Sequence, residues 1–277
     1  MIHPWVKVAL AWGGLAISLL ANAGSGELSL TGNLIQGGLA FGQVSPDSKV
    51  WANGHPVRVS PAGEFILGFG RDYPPQAAVT VQMKEGTVHS YTFEITGREY
   101  DTQRIDGLPN AQVNPGPQVM RRIRRESAEI AAARGLDEDR MDFKSGFMWP
   151  VKGRISGIYG SQRILNGEPR QPHYGIDIAA PVGTQVLAPA SGRVTYAEDM
   201  YFSGGTLVVD HGQNLSSSFL HLHEILVEVG EYVRQGQPIA LVGATGRVTG
   251  PHLDWRMNWH QQRLDPGLLM GEMSPES

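Results

Sequence analysis

Histidines and carboxylates are concentrated in one stretch of this chain. Five of the nine histidines lie between residues 173 and 252, and two aspartates accompany their motifs: His173, Asp177, His211, His221, His223, His252 and Asp254. Imidazole nitrogens and carboxylate oxygens bind zinc and related divalent cations in proteins. The same side chains also act as general acids and bases. The types of residue therefore indicate metal or acid–base chemistry in this stretch.

The first group, HYGID, contains His173 and Asp177, four residues apart. Gly175 and Pro181 oppose a helix here, and on a straight strand the two ligands would be roughly 13 Å apart at ~3.3 Å per residue. That separation is too long for two ligands of one ion. The segment must therefore bend, and we expect Gly175 to permit the bend through its backbone freedom.

Two further groups have spacing typical of strands. His252 and Asp254 lie two apart in GPHLDW, and His221 and His223 lie two apart in FLHLHE. Successive side chains of a strand alternate between faces, so each pair is predicted to share a face. One such pair alone would be typical of a polar strand surface. Three groups in one β-region favour a site.

The order of these groups resembles a known family. The stretches HYGIDIAAPVGTQVLAPASGRVTYA, GGTLVVDHGQNLSSSFLHLHEILVEVGEYVRQGQPIALVGATG and VTGPHLDW are similar to the lysostaphin-type zinc metalloendopeptidases, in order and without large gaps. The resemblance implies two packed antiparallel sheets with a groove between loops, and peptidoglycan peptides as substrates. It also implies one zinc ion held by His173, Asp177 and the residue at 254, with His221 and His252 as the catalytic histidines.

The sequence departs from the family at its last motif, which is His-x-His elsewhere and His252-Leu253-Asp254 here. Aspartate oxygen binds zinc at ~2.0–2.2 Å, close to the imidazole distance. Two carboxylates bring a second negative charge, so the metal would polarise its water less and manganese would compete better. His223 is the alternative third ligand, although a structural role is favoured for it. His211, at the end of a strand, is expected to hydrogen-bond within its loop.

The elements that must position these residues are mostly strands. Short β-type runs separated by Gly, Pro and Asn turns extend over residues 24–99, where Asn53-Gly54 is typical of a type I′ hairpin, and again over residues 146–277. Between them, residues 100–145 are predicted to form a linker with one helix from Pro117 to Arg134, ended by Gly135. The predicted fold is all-β, with a small antiparallel N-terminal β-sandwich as accessory domain and a C-terminal lysostaphin-like antiparallel domain.

Composition and the N-terminus indicate where the chain acts. Residues 1–23 contain Lys7, an apolar stretch and Ala21-Asn22-Ala23, which together predict a cleaved signal peptide and a mature start at Gly24. The apolar stretch is shorter than the ~20 residues of a bilayer span, so no stable membrane span is expected after cleavage. The net charge of −4 gives no reason to expect nucleic acid. We expect an exported protein of the periplasm or cell envelope.

The predicted function is a zinc metalloendopeptidase that hydrolyses peptide cross-links of peptidoglycan. One alternative is a non-catalytic relative that regulates or recruits another cell-wall enzyme. A lipoyl or biotinyl carrier, which VGEYVRQGQPIALVG superficially resembles, would need a lysine for attachment, and none occurs after Lys152. Cysteine catalysis is excluded because the chain contains no cysteine.

Overall fold

A computed structural model of the chain describes residues 28–107, 115–271 and 273. The predicted signal peptide, residues 1–23, and its cleavage site lie outside these residues. Within the described ranges, no helix combines the length and apolar character needed to cross a membrane.

The N-terminal region contains two antiparallel sheets. Strands β1, β2 and β5 form one and β4, β3, β6 and β7 the other, with bounds β1 (Leu28–Gly32), β2 (Leu39–Val44), β3 (Lys49–Ala52), β4 (His55–Val57), β5 (Glu64–Gly68), β6 (Gln76–Gln82) and β7 (Val88–Glu94). Apolar and polar side chains alternate along β6, so its apolar face is buried. Inward side chains from both sheets belong to one hydrophobic cluster. The predicted small antiparallel β-region is confirmed.

The Asn53-Gly54 hairpin shows how local chemistry sets the register. Both residues have positive φ, 47° and 79°, as a type I′ turn requires. Ala52 is therefore paired directly with His55 across a two-residue loop. The hairpin predicted from the sequence is confirmed.

In the described part of the linker there are one strand and one helix, β8 (Thr102–Ile105) and α1 (Pro117–Ala133). The helix begins at Pro117 and ends one residue before the predicted end, with Arg134 as its C-cap. Ile130 of α1 is buried against Tyr196 and Val208 of the following region. Strand β8 pairs with a strand of the C-terminal region, an association that sequence reasoning did not predict.

The C-terminal region is a ten-stranded antiparallel sheet with main order β17-β14-β15-β16-β19-β12-β9; β13, β18 and β20 pair outside this path. Strands β10 and β11 form a separate small sheet with β8, in which β8 and β10 are parallel. The bounds are β9 (Arg154–Gly157), β10 (Gln162–Leu165), β11 (Glu168–Pro169), β12 (Ile176–Ala179), β13 (Gln185–Leu187), β14 (Gly192–Met200), β15 (Gly204–Gly212), β16 (Leu215–Ile225), β17 (Tyr232–Val233), β18 (Pro238–Val242), β19 (His252–Trp259), β20 (Gln262–Leu264) and a 3-10 helix (Pro266–Leu269). The predicted all-β class is confirmed.

The two β-regions are packed against each other. Arg98 forms a 2.8 Å ion pair with Asp265, whose side chain is 8% exposed, and Asn33 donates a 2.7 Å hydrogen bond to the Leu268 carbonyl. Buried apolar side chains from both regions belong to one cluster. The domain boundaries expected at residues 99 and 145 stay predictions.

Candidate metal centre

Two neighbouring strands place the predicted carboxylate ligands together. Asp177 on β12 is the direct cross-strand partner of Asp254 on β19, so both side chains leave the same face of the sheet. His173 lies in the irregular segment before β12. One ligand atom from each of the three residues lies within 4.8 Å of the others. The structure thus brings together all three residues expected to hold a metal.

Two glycines make room for these carboxylates. Gly175 is not among the residues with positive φ, but a Cβ there would lie 2.4 Å from Asp254 Oδ1. A Cβ at Gly157 would lie 2.2 Å from Asp177 Oδ2. The expectation that Gly175 is needed for unusual backbone freedom is therefore corrected, because close approach of a carboxylate is what requires glycine.

His173 and Asp177 present unpaired polar atoms to each other. His173 Nε2 is 3.1 Å from Asp177 Oδ1, and both atoms are buried without a hydrogen-bond partner. Buried polar atoms left unpaired are destabilising, and a cation between them would satisfy both. The donor types and their spacing fit a divalent cation.

Arg163 of β10 lies beside the same two ligands and was not expected there. Its Nη2 is 3.1 Å from His173 Nδ1 and 3.8 Å from Asp177 Oδ2. Arginine can only donate, so His173 Nδ1 accepts, and a neutral ring then carries its proton on Nε2. Binding of a cation at Nε2 therefore requires that proton to leave and Arg163 to move away from Nδ1.

Asp254 is held by Arg256, two residues farther along β19. Arg256 Nε donates to Oδ1 at 2.9 Å and Nη2 donates to Oδ2 at 2.5 Å, while the Asp254 side chain is 2% exposed. Burial raises the pKa of Asp254, but the charge and hydrogen bonds of Arg256 outweigh burial and hold this pKa well below its usual range. Arg256 offsets one of the two carboxylate charges. This removes the electrostatic reason for expecting Asp254 to weaken the polarisation of a metal-bound water.

His221 and His252 lie together at the edge of the ligand cluster, with ring centroids 4.9 Å apart. His221 Nδ1 is 2.9 Å from the Thr245 carbonyl, and His252 Nδ1 is 2.8 Å from the Gly250 carbonyl. A carbonyl only accepts, so each Nδ1 is the protonated nitrogen and each neutral ring keeps a lone pair on Nε2. His252 Nε2 is 3.7 Å from Asp177 Oδ1. Burial lowers the pKa of His221 although Asp254 opposes the shift, which favours the neutral base.

The other two histidines of this stretch lie elsewhere. His221 has φ 66° and the pairing shifts between Leu222 and Glu224, so the expected common face of His221 and His223 is wrong: His221 is buried and His223 is exposed. His211 is buried and contacts the Ser191 carbonyl and Ser217 Oγ. Burial lowers the pKa of His211 to about 4, consistent with the expected structural role.

A cavity of about 530 Å³ leads to the ligand cluster. Linker residues 101–103, strand β9 with Ile158, Ser161 and His173 line it. The segment before His173 contributes Ser161 to the wall of this cavity. The linker contributes the facing wall.

An antiparallel β-region in which histidines and carboxylates converge on two neighbouring strands is the arrangement expected of a lysostaphin-type domain. The sequence profile of "Peptidase family M23" matches residues 171–266. A solved structure from Pseudomonas aeruginosa, assigned to peptidase M23, is 30% identical with a TM-score of 0.68, covering 86% of this chain and 96% of that one. The chain belongs to peptidase family M23.

Two curated relatives show the range of roles within similar domains. The peptidoglycan DD-endopeptidase ShyB of Vibrio cholerae is 43% identical over 94 residues, which are 34% of this chain and 22% of ShyB. The murein hydrolase activator EnvC of Escherichia coli is 40% identical over 123 residues, which are 44% of this chain and 28% of EnvC. The chain thus spans about a quarter of the length of these relatives. The family supports either a cell-wall hydrolase or a regulator of one.

Proposed function

We propose that this protein is an exported metalloendopeptidase that hydrolyses peptide cross-links of bacterial peptidoglycan in the periplasm or cell envelope. The observation that carries the proposal is the pair of buried, unpartnered atoms His173 Nε2 and Asp177 Oδ1 beside Asp254. Two histidines with accepting Nε2 atoms lie next to this pair. Residues 24–99 serve as an accessory domain in this proposal.

His173, Asp177 and Asp254 would hold the cation, one per chain. Zinc suits a site with imidazole and carboxylate ligands, and manganese is the main competitor because two of the three ligands are oxygen donors. A bound divalent cation supplies Lewis-acid polarisation of the scissile carbonyl and a water of lowered pKa. Arg256 fixes the orientation of the Asp254 carboxylate through two hydrogen bonds.

His221 and His252 would manage the proton and the developing negative charge. Each ring is fixed by a hydrogen bond from Nδ1 to a backbone carbonyl, so Nε2 is free to accept a proton from the attacking water. The ring that is protonated can then donate to the oxyanion or to the leaving amine. Either histidine fits either role on these contacts.

A regulator without catalysis is the second candidate, and one observation favours it. The ligand residues are already contacted by two arginines, Arg256 on Asp254 and Arg163 beside His173 and Asp177. If these guanidinium groups stay in place when metal is present, the cluster is a polar network and not a metal site. The similarity to EnvC, a murein hydrolase activator, is consistent with such a role.

Metal analysis combined with digestion of purified peptidoglycan, followed by mass spectrometry of the fragments, separates these candidates. We expect the zinc-loaded parent to release cleaved peptides. His221→Ala and His252→Ala should retain zinc and lose turnover by about 10²–10⁴-fold, because they remove proton transfer. His223→Ala is the matched control, since His223 is exposed and outside the site. A zinc-loaded parent that cuts nothing but stimulates another wall hydrolase would establish the regulator instead.

A further inference from the structure

Three arginines converge beside the metal-ligand cluster, and the strand register shows how. Arg256 follows Asp254 by two on β19 and shares its face. Ser218 is the cross-strand partner of Arg256, and Arg134, at the end of α1, donates to Ser218 Oγ from Nε at 3.3 Å and Nη2 at 3.1 Å. Arg263 of β20 pairs with Asn258, the next residue of β19 on this face. The linker helix α1 and the strands β19 and β20 thus bring three arginine side chains together.

The positive charge of this group is not balanced by the protein. Among the described residues, no carboxylate forms an ion pair with Arg134 or Arg263, and Asp254 is the single carboxylate paired with Arg256. The Arg134 side chain hydrogen-bonds to a hydroxyl and the Arg263 side chain to the Asn258 amide oxygen, with the neutral Tyr174 ring 6.0 Å from the Arg263 guanidinium carbon. All three arginines are half-buried. Desolvated guanidinium groups without counter-charge are unfavourable in a folded protein unless a ligand uses them.

The ionisation behaviour of the group agrees with this arrangement. Burial and the charges of Arg263 and Arg256 lower the pKa of Arg134 well below its usual value. Burial and the charge of Arg256 lower the pKa of Arg263 to about 10. The three side chains are therefore close enough to repel one another, and a bound anion would relieve that repulsion.

Unused hydrogen-bonding atoms line the same patch of the sheet. Asn258 Nδ2 and Ser216 Oγ are buried and have no hydrogen-bond partner, and the two residues are cross-strand partners. Asn258 is 1% exposed and Ser216 is 0% exposed. An unpaired buried donor is destabilising, because it has lost its hydrogen bond to water without replacement. An oxyanion on the arginines would lie beside these donors.

We propose that Arg134, Arg256 and Arg263 form an anion subsite that binds a free carboxylate of the peptide substrate. The identity of this ligand rests on the proposed function, whereas the binding of an oxyanion does not. Arg256 is about 7 Å along the strand from Asp254, and its guanidinium reaches back to that carboxylate. The bound carboxylate therefore lies within about one residue of the scissile bond. The preferred substrates carry a free carboxylate next to the bond that is cut.

The first test measures anion binding without hydrolysis, on the full mature chain prepared with and without zinc. Sulfate is titrated against chloride at constant ionic strength while the melting temperature is recorded. At ~10 times its Kd, sulfate should raise the melting temperature of the parent by about 2–4 °C. The rise should vanish in Arg134→Gln/Arg263→Gln and persist in Arg121→Gln, an exposed arginine of the same helix. Arg134→Lys should keep part of the rise because it keeps the charge.

The second test identifies the source of the anion. An N-acetylated dipeptide with a free carboxylate and the same dipeptide as its amide are compared by calorimetry. The acid should bind the parent at least about tenfold more tightly, since charge-assisted hydrogen bonds contribute about 1.5–3 kcal/mol. Loss of this preference in Arg134→Gln/Arg263→Gln, with zinc affinity unchanged, supports the subsite. Equal binding of acid and amide to the parent, or no specific effect of sulfate, overturns it. If sulfate stabilises the parent but the parent cuts no peptidoglycan, the anion subsite is supported although the proposed function has failed.

Discussion

The two β-regions of this protein use the same antiparallel pairing but bury different side chains. Among residues 28–99 of the N-terminal region, the buried polar residues are Ser48 and Ser60. In the C-terminal region, histidines and aspartates are buried as well, including His173, Asp210, His211, His221 and Asp254. A buried hydroxyl needs one hydrogen bond, whereas a buried charge needs a counter-charge and several donors.

One ion pair from each region shows the same difference in burial. Lys84 and Asp47 of the N-terminal region form a 2.6 Å pair whose side chains are 75% and 60% exposed. Arg256 and Asp254 form a 2.5 Å pair whose side chains are 23% and 2% exposed. Exposed pairs contribute little, whereas breaking a buried pair leaves a charge without compensation. The C-terminal region therefore buries polar groups at an energetic cost where chemistry can use them, while the N-terminal region avoids burying them.

The largest predicted effect comes from breaking the buried pair. Asp254→Ala should lower the free energy of unfolding by about 3–5 kcal/mol, because Arg256 is left without its carboxylate. Lys84→Gln in the N-terminal region should leave it nearly unchanged, because solvent screens an exposed ion pair. Urea unfolding of both variants checks the contrast. Asp254→Leu/Arg256→Met should recover much of the loss, and a double variant no better than Asp254→Ala would contradict the pairing argument.

A second prediction concerns metal affinity. His173→Ala and Asp177→Ala should each weaken zinc binding by at least about 100-fold, because loss of a direct ligand exceeds the 10–100-fold effect of outer partners. Ser60→Ala is the matched buried polar change in the other region: its hydroxyl accepts from the Glu64 N–H at 3.1 Å. Calorimetric titration with zinc should show no change for Ser60→Ala. Equal affinity in all three variants would remove His173 and Asp177 from the metal site.

The smallest predicted effect is a pH dependence carried by His211. Burial lowers its pKa to about 4 in the folded protein, from the 6.5 of an ordinary histidine, so the unfolded chain takes up the proton first as pH falls. Stability is therefore lost as pH decreases from about 6.5 towards 4, by about 2 kcal/mol between pH 7 and 5. His211→Gln should show a shallower fall in urea unfolding over this range. His55→Gln, at an exposed N-terminal position, should follow the parent.

Sequence reasoning predicted what depends on nearby residues. The Asn53-Gly54 hairpin and the start of α1 at Pro117 were predicted because turn and helix-end chemistry are local. The grouping of His173, Asp177 and Asp254 came from spacing and family resemblance, and the structure places them together. Their role as ligands stays a prediction.

Other features depend on distant residues and were missed. Arg163 reaches the ligands because β10 pairs in parallel with β8 of the linker, and no local pattern encodes that pairing. Arg134 reaches the sheet because α1 ends above Ser218. Arg256 could have been predicted from the sequence, since it lies two residues after Asp254 on one strand and shares its face. The shared face of His221 and His223 was wrong because a positive φ interrupts the strand at His221.

The pairing of Asp177 with Asp254 bears on the order of folding and metal binding. Their separation is set by the backbone ladder between β12 and β19, and both strands are anchored by apolar core side chains, including Ile178 and Trp255. The two carboxylates are therefore in place as soon as the sheet forms, unlike the ligands of a small domain that folds only around its metal. Under the proposed function, folding and metal uptake would be separate steps: the exported chain would complete its fold first and acquire its ion afterwards.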